Sequence, residues 1–250
     1  MTTSNQSAVA AIPGMEWEPT VKWLRVAFGG QIIADTTHAY LLREDRRLPI
    51  KYIPQDDVRM DLMQPTDRRT NSRSRGEAIY WTVAVNGATA ENAAWAHPAP
   101  PEGAPDLRGY IAFEWDKMEA WFEENEEVYV HARDPHKHIE VLESTRHVRV
   151  VLGGQTVAES RHAVLLFEPN MLTRYYLPKL DVRMDLLRPS DTVTRCPYKG
   201  QAAYFSIETG DTVHKDIIWY YRYPTPEVAK IAGRLCFYNE KVDAIYVDGE

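Results

Sequence analysis

The side chains best suited to chemistry lie in a short segment, Thr194–Gly200, in the second half of the 250-residue chain. Cys196 would act as a nucleophile if a nearby cation lowered its pKa, and Lys199, three residues later, can supply that positive field. A lone cysteine is more often inert, and segments of this composition often form only a turn. Both interpretations stay open at this stage.

Acidic residues near the ends of predicted strands extend this candidate site. Glu168 and Asp181, together with Lys199, could perform general acid and base chemistry on a small molecule if their side chains converge. Arg183 and Asp185 belong to the same ionisable set. The alternative is a structural ion-pair network that fixes a turn, because such networks perturb titration as much as active sites do.

Four aromatic residues could form the walls of a pocket, since aromatic rings with polar tips suit small ligands. They are Tyr176, Tyr204, Trp219 and Tyr221. Core packing is the alternative for Tyr204 and Trp219, because the first half of the chain has aromatic residues at the matching positions. We expect no metal and no cofactor: three histidines in a polar connector, His131, His136 and His138, are usually only exposed.

The chain repeats itself without a gap. Asp57–Leu62 recurs as Asp181–Leu186, and Arg25–Gln31 is similar to Arg149–Gln155, so both pairs share the offset 181 − 57 = 149 − 25 = 124. Self-similarity at a constant offset predicts a tandem duplication. Two domains of about 100 residues also suit a chain of this length.

The two copies differ at the candidate site. Where the second copy has Cys196 and Lys199, the first has Ser72 and Arg75, so a thiol becomes a hydroxyl and an amine becomes a guanidinium. We therefore place the site in the second copy and expect the first to serve as a scaffold or companion wall.

Each copy reads mainly as short strands separated by turns. The Gly153–Gly154 pair predicts a hairpin turn, Thr225–Gly233 predicts a short helix that Gly233 ends, and Pro98–Pro105 predicts a rigid loop. The predicted division is a flexible tail (1–20), the first copy (21–130), a linker (131–146) and the second copy (147–250).

Several stretches of the second copy, and the join between the copies, carry a family resemblance. They are Tyr175–Val182, Thr194–Gly200, Trp219-x-Tyr221, Gly233-x-x-x-Phe237 and Arg133–Pro135. The chain resembles domain of unknown function 427 (DUF427), sometimes labelled nucleotidyltransferase-like. The resemblance implies a β-tent fold in each copy, two antiparallel sheets meeting like a ridge, and we expect the copies to pack about a pseudo-twofold axis.

Composition narrows the function. A net charge of −7 argues against a general nucleic-acid binder. No apolar span or secretory signal is evident, and two isolated cysteines fit a reducing compartment, so we expect a cytoplasmic protein with no membrane partner. The leading hypothesis is small-molecule binding or transformation in a pocket of the second copy, and a homo-oligomer is compatible with it. A non-catalytic protein-interaction module is the alternative, and a nucleotide-binding or nucleotidyl-transferring enzyme is a weaker one.

Overall fold

The computed structural model describes residues 12–250, which divide between two compact units whose boundary falls between Asp134 and Pro135. The protein is mainly β, and its two halves are similar and rich in sheet. Each half contains one seven-stranded antiparallel sheet and one smaller sheet. The mainly β fold and the duplication predicted from the sequence are therefore confirmed.

The first unit has a seven-stranded sheet in the order β1-β4-β5-β9-β8-β7-β6 and a four-stranded sheet in the order β11-β10-β2-β3. Its strands are β1 (Met15–Pro19), β2 (Leu24–Phe28), β3 (Gln31–Thr36), β4 (Tyr40–Glu44), β5 (Ile50–Pro54), β6 (Met63–Ser72), β7 (Gly76–Val85), β8 (Ala88–Ala96), β9 (Tyr110–Phe113), β10 (Ala120–Glu123) and β11 (Glu126–Glu127). Short 3₁₀ helices lie at Gln55–Asp57, Met60–Leu62 and Trp115–Lys117.

The second unit repeats this plan, with sheets in the orders β12-β15-β16-β20-β19-β18-β17 and β14-β13-β21. Its strands are β12 (Glu140–Ser144), β13 (Val148–Leu152), β14 (Gln155–Ser160), β15 (Ala163–Phe167), β16 (Arg174–Leu177), β17 (Leu187–Cys196), β18 (Gly200–Thr209), β19 (Thr212–Pro224), β20 (Leu235–Phe237) and β21 (Ala244–Val247). Its 3₁₀ helices lie at Lys179–Asp181, Met184–Leu186 and Pro226–Ile231.

The first strand of each copy was missed by the sequence analysis. Residues 15–19 of the predicted tail form β1, which pairs with β4, and residues 140–144 of the predicted linker form β12, which pairs with β15. Both strands are short, lie at a sheet edge and contain two glutamates each. Such strands bury few side chains, so their sequences carry little of the apolar alternation that predicts a strand. The remainder of the predicted tail, residues 1–11, lies outside the described residues.

The large sheet of the second unit has two faces of different composition. Tyr175 and Leu177 point into an apolar core shared with the small sheet, whereas Tyr176 between them points to the other face. Residues alternate in the same way along β19, where Ile218 lies in the core and Trp219 on the other face. This alternation is the period of two expected of a pleated strand. The second face carries the candidate site.

The local predictions made from turn residues are largely confirmed. Gly153 and Gly154 have φ of +60° and +71° and join β13 to β14. The predicted helix is the 3₁₀ segment Pro226–Ile231, and Gly233 follows it with φ of +67°. The hydroxyl of Thr225 donates to the carbonyl oxygen of Tyr198 at 2.7 Å instead of capping that helix. None of the helices within residues 12–250 is long and apolar enough to cross a membrane.

Candidate functional site

A row of side chains crosses the large sheet of the second unit on its outer face. The backbone pairs Tyr204 with Trp219, Trp219 with Cys236, and Cys236 with Tyr176, across β18, β19, β20 and β16. Directly paired residues of antiparallel strands bring their side chains together on one face. Cys236 is fully buried among the aromatic rings, as expected of a small core residue, and burial raises the pKa of its thiol.

A cavity of about 170 Å³ opens on this face. Six of the nine residues that the sequence nominated line it, and they come from strands β16, β18 and β19 and from two loops. The six are Glu168, Tyr176, Lys199, Tyr204, Trp219 and Tyr221. Residues spread over more than fifty positions of the sequence therefore converge because consecutive strands pair side by side.

The charged end of the cavity is built around one carboxylate. Glu168 follows β15, and its Oε2 lies 2.5 Å from Nζ of Lys199, while its Oε1 lies 2.6 Å from Nζ of Lys137. Burial alone would raise the pKa of Glu168, but the hydrogen bonds and charges of the two lysines outweigh it and hold that pKa below its usual range. Glu168 is therefore an ionised hydrogen-bond acceptor in this site.

Lys199 is positioned by the tight turn between β17 and β18. Gly200 ends this turn with φ of +98°, a conformation that favours glycine. A Cβ atom at Gly200 would also lie 3.2 Å from the carbonyl oxygen of Tyr223, so the turn packs closely against β19. The backbone thus fixes the ammonium group opposite Glu168.

Cys196 lies beside the cavity but does not line it. Its Sγ is 4.0 Å from Nζ of Lys199, a distance at which the ammonium can interact with the sulfur. The shorter contact of that ammonium, however, is with the carboxylate of Glu168 at 2.5 Å. The thiol of Cys196 and the ammonium of Lys199 are therefore neighbours, as their spacing in the sequence indicated. The main partner of that ammonium is the carboxylate of Glu168.

A hydrogen bond links two of the aromatic side chains that line the cavity. The indole Nε1 of Trp219 donates to the hydroxyl of Tyr176 at 3.1 Å, and the rings meet edge to face with centroids 6.3 Å apart. Burial raises the pKa of Tyr176 well above its usual value and also raises that of Tyr221. Both tyrosines therefore stay protonated.

Two of the nominated residues, Asp181 and Arg183, lie away from the cavity. Oδ2 of Asp181 accepts a hydrogen bond from Ser160 at 2.5 Å, and Arg183 forms an exposed ion pair with Asp185 at 2.7 Å. The matching residues of the first copy make the same contacts, with Thr36 donating to Asp57 at 2.6 Å. These contacts are the kind expected of the structural network that the sequence left open as the alternative.

The two copies also match one family model. That model is described as a domain of unknown function (DUF427), and it matches residues 16–124 and 140–248, bounds that differ by the same 124 positions. The chain belongs to the DUF427 family. No curated protein matches it.

Four residues of the candidate site in the second copy were not predicted from the sequence. Met171, Arg174 and Tyr238 line the cavity, and Lys137 pairs with Glu168. Lys137 was missed because it lies in the stretch interpreted as a solvated linker. Arg174 was within reach of sequence reasoning, because it adjoins the Tyr175-Tyr176 pair. In the structure it forms an ion pair with Glu240 at 2.7 Å.

The first DUF427 copy has a cavity at the corresponding place, with a volume of about 1010 Å³. Seven of the nine residues lining the second-copy cavity have their counterparts, 124 positions earlier, on its walls. The seven counterparts are Arg47, Ile50, Arg75, Tyr80, Trp95, His97 and Glu114. The first copy, expected to be a scaffold or companion wall, thus has a larger cavity than the second.

Metal ligands do not cluster in the part of the chain that the structure describes. No group of three or more histidine, cysteine, aspartate or glutamate side chains within residues 12–250 could hold a metal ion. Of the three connector histidines, His131 hydrogen-bonds through Nδ1 to the carbonyl oxygen of Ala132 at 2.7 Å.

Proposed function

We propose that this DUF427 protein binds a small molecule in the cavity of its second copy. The observation that carries this proposal is the convergence of Glu168, Lys199 and four aromatic side chains on one concave site. Ligand pockets combine apolar and aromatic walls with a few polar groups that orient the ligand, and this site has that composition.

The size of the cavity restricts its ligand. Ligand pockets usually span about 300–1,000 Å³, whereas this one measures about 170 Å³. We therefore propose a compact ligand that places a flat or apolar part against Trp219 and Tyr204. Its polar part would face Lys199 as donor and Glu168 as acceptor, since both lie at one end of the site.

The ionisation of Glu168 supports binding in preference to turnover. A general acid needs a proton to give, but the two lysines hold the pKa of Glu168 below its usual range. The same carboxylate is occupied by contacts of 2.5 Å and 2.6 Å, which leaves it little basicity. The proposal is accordingly a binding protein whose polar pair orients its ligand.

A screen of common metabolites by ligand-observed nuclear magnetic resonance tests this proposal. Lys199→Ala and Glu168→Ala should each abolish binding of at least one of the compounds found, because each removes one half of the polar pair. Arg183→Ala and Asp185→Ala provide matched controls, since they break a similarly short but exposed pair outside the cavity. The proposal is wrong if both cavity variants bind all of those compounds as the parent does.

We also propose that the protein acts in the cytoplasm. Both cysteines, Cys196 and Cys236, are unpaired, which suits a reducing compartment. Alkylation of intact cells before lysis, followed by mass spectrometry, should find Cys196 as a reduced thiol. Recovery of Cys196 mainly in a mixed disulfide would contradict the proposal.

A further inference from the structure

Three buried polar atoms of the first copy lie close together without a hydrogen-bond partner. They are Oε2 of Glu44, Nε of Arg75 and Nε2 of His97. His97 is only 3% exposed. A buried polar group without a partner costs free energy, so such a cluster needs an explanation.

The acid and the base of this cluster form a closer pair in the second copy. There Nζ of Lys199 lies 2.5 Å from Oε2 of Glu168. In the first copy Nε of Arg75 stands 3.6 Å from Oε2 of Glu44, beyond hydrogen-bond distance. The first copy therefore leaves open a contact that the second copy closes.

The hydrogen-bonding role of each open atom follows from its neighbours. Nδ1 of His97 lies 3.2 Å from the carbonyl oxygen of Glu77, so it carries the proton and leaves Nε2 with a free lone pair. Burial, and then the charge of Arg75, lower the pKa of His97 and keep the ring neutral at pH 7. Arg75 offers the N–H donors of its guanidinium group.

The local charge favours an anion. Glu44 faces two guanidinium groups, Arg75 at 3.6 Å and Arg47 at 3.7 Å, so one positive charge remains uncompensated within this group. Arg75 and His97 both line the first-copy cavity, which places the free acceptor and the cation on the same wall. Guanidinium groups bind carboxylate and phosphate oxygens with two parallel hydrogen bonds.

We propose that the first-copy cavity is a second binding site, and that it takes a small oxyanion that also carries a hydroxyl donor. The oxyanion accepts hydrogen bonds from the guanidinium group of Arg75, and the hydroxyl donates to Nε2 of His97. Trp95 and Tyr80 provide the wall for the rest of the molecule. This site uses no residue of the second copy, so its test is independent of the test for ligand binding in the second-copy cavity.

Four small probes test separately whether binding requires the oxyanion and whether it requires the hydroxyl donor. Lactate carries an oxyanion and a hydroxyl, propionate lacks the hydroxyl, lactamide lacks the charge, and inorganic phosphate carries both features on phosphorus. Lactate should bind about tenfold more tightly than propionate or lactamide, the effect of one lost hydrogen bond to a charged or buried group. The relative affinities of lactate and phosphate identify the ligand as a carboxylate or a phosphoryl compound.

Two variants and one control connect binding to the site. Arg75→Gln and His97→Tyr should each weaken lactate and phosphate binding at least tenfold, and His97→Tyr installs the residue that the second copy has at Tyr221. Arg59→Gln is the control, because Arg59 forms an exposed ion pair with Asp61 outside the cavity. The control should bind both anions as the parent does.

The decisive readout is the ¹⁵N resonance of Nε2 of His97, measured during titration of the full-length protein. We expect it to shift and saturate together with binding, because the lone pair gains a donor. Absence of saturable binding of both lactate and phosphate overturns the proposal. So does binding that leaves this resonance unmoved, which would mean that ordered water alone satisfies the open atoms.

Discussion

Replacing Glu168 by glutamine tests the electrostatic core of the second-copy site. The substitution keeps the shape of the side chain but removes the charge that faces Lys199 at 2.5 Å and Lys137 at 2.6 Å. Lys199 would then keep a buried ammonium without its anion. We expect the second unit to lose stability while the first unit keeps its own.

The magnitude follows from burial. The side chains of Glu168 and Lys199 are only 9% and 12% exposed. Removing one partner of a buried pair costs about 3–5 kcal/mol, and the remaining exposure places this pair at the lower end, about 3 kcal/mol. Lys137 contributes less, because its side chain is 29% exposed and can turn to water.

The effect depends on pH in a defined direction. The pKa of Glu168 in the folded protein lies below its ordinary value of 4.5. The stabilisation is therefore complete above pH 4.5 and disappears as the pH falls through the lower, folded-state pKa. The difference between the parent and Glu168→Gln should stay constant from pH 7 to pH 5 and shrink in more acidic solution.

Native-state hydrogen exchange measures this change for each unit separately. Amides of β18 and β19 should lose protection in Glu168→Gln, while those of β7 and β8 serve as an internal reference. Asp185→Asn is the matched control, since it removes a carboxylate from a similarly short but exposed pair and should leave protection unchanged. Equal effects of the two substitutions would refute the argument from burial.

Three further predictions concern the fold. Lys51 and Glu123 form a 3.1 Å ion pair whose side chains are both under 7% exposed. Lys51→Tyr or Glu123→Val alone should therefore lower the free energy of unfolding in urea by about 3 kcal/mol. The double variant, which installs the residues found at these positions in the second copy, should recover most of that loss. Gly76→Ala should destabilise the protein more than Gly87→Ala. Both glycines have a positive φ, but only at Gly76 would a Cβ atom lie 2.7 Å from the carbonyl oxygen of Ala99. A thiol reagent should label one cysteine in the native protein and reach Cys236 only after unfolding.

The duplication made most of the fold predictable. A gapless offset and alternating strands were enough for two mainly β copies, and turn residues such as Gly153 and Gly233 were placed correctly. The edge strands β1 and β12 were not predicted, because these glutamate-rich strands are held more by backbone pairing than by a buried apolar face. Edge strands carry a weak sequence signal for that reason.

Residue types nominated Glu168, Lys199 and four aromatic residues from the sequence, and the structure brings these six together around one cavity. Their role in binding a ligand stays a prediction. The separation of Asp181 from them could not be foreseen, since it depends on a hydrogen bond from Ser160 that only the folded chain forms. The open polar cluster of the first copy was equally hidden, because an absent partner leaves no mark on the sequence.

The central claim is tested most directly by titrating the tightest screened compound whose binding Lys199→Ala abolishes, followed by the indole ¹H–¹⁵N resonances. The chain has seven tryptophans, so seven indole signals report on different places. We predict that the signal of Trp219 shifts and saturates with the ligand and that Glu168→Ala removes this response. Saturable binding that leaves the Trp219 signal unmoved would contradict ligand binding in the second-copy cavity.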